Sequence, residues 1–300
     1  MAEKRAPVTI DQAETSKKSS YANKKSNIKD SSSRIVSIAQ TFGLDAQLQP
    51  GKPEKTLLDR AANREKKRQE QRQKNLEQIV KYTHGFCRDE TAGDPDQDWL
   101  YRFFDMAQDI HNTSMQKLWA QVLKLEITNP GSTSMKALQV LKDMTPKEAQ
   151  TLQRAASLAC SFGSENSKKL LLGFKTQAGF FSFGRKQTST TVNLGSFQLP
   201  YSGMLLLIEL GILLGTELES GEIEFDPALV INYQGKSISL MPMGKGSKLI
   251  YYRFSPVGNE LCKLLGNKPN TQYYDQLLGL FSQKFTVQSD AKGGSVDQMV

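Results

Sequence analysis

The chain has 300 residues, 38% of them hydrophobic, which is low for a fully globular protein and leaves part of the length without a core to join. Its three cysteines, Cys87, Cys160 and Cys262, lie far apart with no CxxC pair, so neither a disulfide framework nor a thiolate zinc site is indicated. The net charge is +8, and residues 1–80 hold 17 Lys and Arg against 10 Asp and Glu, a difference of +7, so nearly all the excess is N-terminal. Such a segment suits a polyanion (DNA, RNA or an anionic membrane surface), and equally it aids solubility.

Residues 1–52 read as a basic, mostly disordered tail, rich in Ser, Lys, Asn and Gln. No apolar stretch of roughly 7 to 15 residues follows the first charges, as a secretory signal requires, and a cytoplasmic protein is expected. Within the tail, Ile35, Val36, Ile38 and Phe42 form an apolar island at spacings that suit a short helix docking on a partner surface. From Pro53 to about Tyr82 the residues favour a long charged helix of the kind found in coiled coils. Its middle, REKKRQEQRQK over 64–74, is almost wholly polar and stands in solvent. An acidic turn, DETAGDPDQD, ends it.

Four amphipathic helices follow. Trp99, Leu100, Phe103, Phe104, Ala107 and Ile110 recur at helical spacing behind Asp98 as the expected N-cap. Met115, Leu118, Trp119, Val122 and Leu123 form a second apolar face behind Ser114, and Pro130 and Gly131 stop that helix. A third helix runs from about Ser132 to Asp143. The fourth starts in TPKE, with Thr145 as N-cap, Pro146 at the first helical position and Glu148 closing a capping box, and continues to about Cys160.

After Phe162 the texture turns to short strands: KLLLGFK, GFFSFGRKQTSTTVNLGSF, IEF, ALVINY, SISLMPM and KLIYYRF. The run Met204 to Gly215 is apolar but interrupted by Glu209 and well short of the ~20 residues of a bilayer span, so it reads as part of a buried helix over about 202–214. The last two strands are expected to form a hairpin through Gly244, Lys245, Gly246 and Ser247, and with the flanking helices this order is winged-helix-like. A helix opens at Ser255 or Pro256, another covers Gln272 to Phe285, and the end frays. The expected class is α+β: a helical domain over 53–162, a mixed domain with a hairpin over 163–286, and a frayed tail over 287–300.

DWLYRFFDMAQDI, MQKLWAQVLKLEI and PGSTSMKALQVLKDMTPKEAQ resemble an uncharacterised bacterial family known only as a domain of unknown function. The spacing of Asp98-Trp99, Phe103-Phe104, Trp119, Leu123, Glu126, Pro130-Gly131 and Ser134 carries the likeness, and SPVGNELCKLL resembles the family's closing text. A looser likeness extends to abortive-infection alpha proteins, which associates the chain with host defence. The resemblance supplies no catalytic residue.

The residues themselves offer no strong chemistry. Trp119 reads as core and Glu126 as a surface or interhelix partner, since one carboxylate without a second group makes no mechanism. His84, Cys87 and Asp89 cannot close a metal site with only two histidines in the chain. GKGSK has strands, not a strand and a helix, at its flanks and is therefore a turn rather than a phosphate loop. GFFSFGRK over 179–186 reads as an ordinary strand with one buried face. Neither a catalytic residue, a cofactor nor a metal is expected. The first functional reading is a non-enzymatic binding or regulatory protein acting through protein interaction or self-association. The alternative is nucleic-acid binding with little sequence specificity, through Lys66, Lys67, Arg68, Arg72 and Lys74, with Lys245 and Lys248 on a second basic turn.

Overall fold

The computed structural model describes residues 30–48, 51, 55–88, 90–177, 188–265 and 268–289. The expectations for the start of the tail, for GFFSFGRK over 179–186 and for 290–300 lie outside the described residues. The chain divides into two compact units, 1–68 and 69–300.

In the first unit, helix α1 spans Ser31–Phe42. Asp30 caps it by accepting from the Ser33 amide at 2.7 Å, and Gly43, at φ 65°, ends it in the left-handed conformation that glycine tolerates best. The Leu44 amide turns back to the Ala39 carbonyl at 2.7 Å, and a 3-10 turn follows at Asp45–Gln47. Helix α2, Leu57–Phe86, begins in this unit and continues into the second. Ala39 is the one buried residue of α1.

In the second unit, α2 is followed by α3 (Gln97–Ala107), α4 (Thr113–Thr128), α5 (Met135–Asp143) and α6 (Pro146–Leu158). Two expected caps move. Asp96, not Asp98, accepts from the Trp99 amide, and Asn112, not Ser114, accepts from the Ser114 and Met115 amides, because Asp98 and Ser114 already lie inside their helices and the residue just before each helix is the one that faces the free N–H groups of its first turn. The capping box at Thr145 and Glu148 forms as expected. The fourth helix stops at Leu158, and β1 (Ala159–Phe162) starts at once.

The strands form one antiparallel sheet in the order β4-β7-β2-β1-β5-β6-β8, with β3 pairing the far half of β2. Their spans are β2 Lys169–Thr176, β3 Thr188–Thr191, β4 Leu213–Glu219, β5 Leu229–Tyr233, β6 Lys236–Pro242, β7 Lys248–Phe254 and β8 Phe285–Ser289. The expected β6–β7 hairpin is corrected: β6 takes β5 and β8 as neighbours, and β7 takes β2 and β4. Residues 244–247 cross the sheet instead, held where the Gly246 amide donates to Glu222, and the wing of a winged helix does not form. A tight hairpin forms instead between β5 and β6, through Gln234 and Gly235, both at positive φ, the twist a two-residue turn requires. Ile223–Phe225, expected as a strand, is loop.

The apolar run 204–215 is also divided. Helix α7 covers Tyr201–Glu209, Gly211 at φ 69° ends it, and β4 begins at Leu213. Helices α8 (Pro256–Leu264, capped by Ser255) and α9 (Thr271–Phe281) close the unit. Beyond α9 the chain adds β8, whose Val287 pairs with Leu240, so the expected helix to 285 and fraying from 287 give way to a strand through Ser289. Helices and sheet share one hydrophobic cluster that runs from Ile79 through Trp119, Leu171 and Tyr273 to Phe285. No helix among the described residues is long and apolar enough to cross a membrane.

One turn joins four helices of this unit. Glu126, expected at a surface or between helices, is 1% exposed, and its carboxylate accepts from the Gly131 amide (2.5 Å), the Thr133 amide (3.1 Å) and the Ser132 hydroxyl (3.3 Å). The Thr133 carbonyl in turn accepts from Trp99 Nε1 of α3 at 2.8 Å, and the Ser134 amide donates to Glu260 of α8 at 2.8 Å. Glu126→Ala leaves the buried Thr133 amide without an acceptor and frees the exposed Gly131 amide to water, so urea denaturation should show a loss of about 2 kcal/mol. A loss under about 0.5 kcal/mol would mean that water replaces the carboxylate.

Candidate interaction surface

The cations singled out in the sequence have unequal surroundings. Lys66, Lys67, Arg68 and Lys74 are exposed on α2, with Arg68 4.0 Å from Glu65. At about 100° per residue, Lys66, Lys67 and Lys74 point one way and Arg68 and Arg72 another, so the cluster winds around the helix rather than forming one stripe. Arg72 is committed inside the second unit: its Nε and NH2 grip both oxygens of Asp109 at 2.8 and 2.9 Å, while the neighbouring Asn75 donates to the Gln108 carbonyl at 2.8 Å. Lys245 is exposed on the β6–β7 crossover. Lys248 lies 3.5 Å from Glu219, which Lys175 also holds at 2.5 Å.

Trp119 is fully buried, in ring contact with Phe103 at 5.3 Å, and so is core. Among the described residues no group of three His, Cys, Asp or Glu side chains could hold a metal ion. A depression of about 680 Å³ in the second unit is lined by Asp94, Asp96 and Asp98 with Arg102 and the edge of Trp99, but Asp96 is already spent as a helix cap. Burial pushes the thiols of Cys160 and Cys262 up to about 12, which makes them poor nucleophiles.

One polar cluster escaped the sequence reading. Lys169 of β2 is 2% exposed, lies over the Phe162 ring at 4.8 Å, and donates to Glu165 (2.6 Å), the Ser167 hydroxyl (2.9 Å) and the Ser167 carbonyl (3.2 Å). Arg253 of β7 reaches the same Glu165 at 3.0 Å. A serine beside a buried lysine can form a nucleophile–base pair, but here the ammonium is held by a carboxylate, so the arrangement is an ion-pair lid on the sheet and not a free base. The KK dipeptide at 168–169 gives no hint of which lysine turns inward.

The first unit shows the opposite pattern. Ile35, Ile38 and Phe42 lie at i, i+3 and i+7 on one face of α1, and all three are exposed. Leu44, Leu48, Leu57 and Leu58 are exposed too, the last two at 76% and 78%. Between the 3-10 turn and the start of α2 runs a groove of about 320 Å³ lined by Leu44, Ala46, Leu57 and Ala61, with Arg60 and Arg64 at its rim. This unit presents more apolar surface than its few inward contacts use.

The hydrogen bond from Lys169, followed by that from Ser167, holds the Glu165 carboxyl below its usual value near 4.5. A carboxylate depressed in the folded state adds stability that is present above the unfolded value and lost as pH falls through the folded one. Glu165→Gln should therefore lower Tm at pH 7, with the gap to wild type closing as the pH drops below 4.5. A gap that is constant with pH would show that the charge on Glu165 contributes nothing.

No curated protein and no solved structure matches the chain. One family does, over residues 59–278, a span that takes in all four helices joined at the Glu126 turn and the sheet as far as α9, and begins after α1. With most of its length matched, the chain belongs to the family described as protein of unknown function (DUF2806).

Proposed function

We propose that the protein is a non-enzymatic binding or regulatory protein that acts through protein interaction in the cytoplasm, with its first unit as the docking module. The observation that carries this reading is the exposure of seven large apolar side chains between Ile35 and Leu58. Monomeric proteins seldom leave such a patch in water, and patches of this kind mark binding surfaces. The second unit fits the part of a scaffold, since its buried charges, Glu126 and Lys169, are spent on its own turns and strands. The likeness to abortive-infection alpha proteins adds host defence as the proposed setting.

A second reading is nucleic-acid binding without sequence preference. It draws on exposed Lys66, Lys67 and Lys74, whereas Arg72 and Lys248 already have acidic partners. It leaves the apolar surface unexplained.

A photo-crosslinking residue at position 58 in cells, with one at the equally exposed Tyr101 as control, separates the two. Position 58 should give a discrete protein adduct that Leu57→Asp removes. Labelled DNA or RNA should show no saturable anisotropy change at about 0.15 M salt. Saturable binding that falls steeply with salt and is lost in Lys66→Glu/Lys67→Glu, with no adduct from position 58, would replace the first reading by the second.

A further inference from the structure

We propose that the partner seated on the first unit is a second copy of this chain, with the two α1 helices packed antiparallel across a two-fold axis. This rests on the reading of the first unit as the docking module and names what it docks.

Area gives the first argument. The Ile35-Ile38-Phe42 face, 43% to 61% accessible, forms the centre of the contact, and the exposed Leu44, Leu48, Leu57 and Leu58 of the same unit supply the remainder of the roughly 800 Å² that each partner brings to a standard-size interface. An isolated 12-residue helix is marginal in water, and α1 buries only Ala39 within its own unit. Packing against a like helix would bury the Ile35-Ile38-Phe42 face of both at once.

Charge selects the occupant. Although the cations Arg60, Arg64, Lys66, Lys67 and Arg68 crowd the start of α2, α1 itself carries one charged residue, Arg34. Two α1 helices can therefore meet without setting like charges against each other, and their antiparallel dipoles attract. A nucleic acid would engage the cations of α2 and leave the apolar stripe in water. A membrane surface calls for basic residues along the polar face of the inserted helix, and the polar face of α1 is built from Ser32, Ser33, Ser37, Gln40 and Thr41. The sequence of residues 1–29 carries few large apolar groups to offer such a stripe: beyond Met1 they are Val8, Ile10, Tyr21 and Ile28, scattered among charges and hydroxyls. A two-fold contact makes the stripe its own complement.

The test is the mass of the full-length protein by sedimentation equilibrium, from about 1 to 100 μM and at about 0.05 and 0.5 M NaCl. The wild type should be a dimer whose dissociation constant is no weaker at high salt. Ile38→Asp/Phe42→Asp, at two exposed positions, should keep the Tm of the second unit, lose at most the helicity of α1, and raise that constant at least about 100-fold. Ile38→Cys, in a Cys87→Ser background, should oxidise to a disulfide-linked dimer, because position 38 faces its mate near the axis. A wild type that is monomeric throughout overturns the second copy and leaves the docking reading to the adduct from position 58. A dimer that survives both aspartates overturns the inference, and the absence of that adduct as well would remove the docking reading with it.

Discussion

The second unit depends on one buried carboxylate. A turn between two helices ordinarily leaves its amides to water; after α4 the tip, residues 129–131, is exposed, but the turn then dips to the buried Thr133, and the buried Glu126 carboxylate takes the Gly131 and Thr133 amides in place of water. With the turn fixed, Thr133 offers its carbonyl to Trp99 and Ser134 its amide to Glu260. Helices α3, α4, α5 and α8 thus meet at six residues of chain. From α8 the constraint passes to the sheet: a side chain at Gly258 would stand 2.2 Å from the Ile212 carbonyl, so glycine lets the helix close on the start of β4. Ser255, at the head of the same helix, donates to the Gly211 carbonyl at 2.6 Å and caps the Gly258 amide at 3.0 Å.

The two units use polar and apolar groups in opposite ways. In the second, the buried charges and the buried Tyr273 hydroxyl are turned on neighbouring polar groups, while Trp119 Nε1 and Thr133 Oγ1 stay unpaired. Glu126 faces a turn, Lys169 faces Glu165, and the Tyr273 hydroxyl donates to the Leu171 carbonyl at 2.6 Å, with burial raising that phenol well above its ordinary value. Groups satisfied in this way hold a fold and are not poised for chemistry. In the first unit the apolar side chains face water, which costs free energy unless something covers them. That contrast is the basis for assigning docking to the first unit and rigidity to the second.

Local signals made much of the helical half legible. The box at Thr145, Pro146 and Glu148 sets the start of α6 from four residues, and the 3.6-residue spacing around Trp99 and Trp119 separates core from surface. Cap identity slipped by two residues at Asp96 and Asn112, because each is followed by a second capping residue in the same stretch. The sheet was less legible. Which strands pair depends on contacts far apart in sequence, and the glycine-rich Gly244–Ser247 imitates a hairpin turn while the true turn hides at Gln234-Gly235, where glutamine is an unusual tenant of positive φ. The apolar stripe of α1 was visible in its spacing. The exposure of Leu57 and Leu58 was not, since an apolar pair opening a helix reads equally well as buried. The role of Glu126 could have been seen: an acid five to seven residues ahead of the amides of N-P-G-S-T is placed to cap that turn.

Amide hydrogen exchange over residues 129–134 tests most directly whether this turn is the centre of the second unit. The Gly131 and Thr133 amides should exchange as slowly as those of α4 and α5, opening only when the whole unit opens. Exchange at the rate of a surface loop would contradict the account, because the turn would then open on its own and could not be what holds α3, α5 and α8 in place.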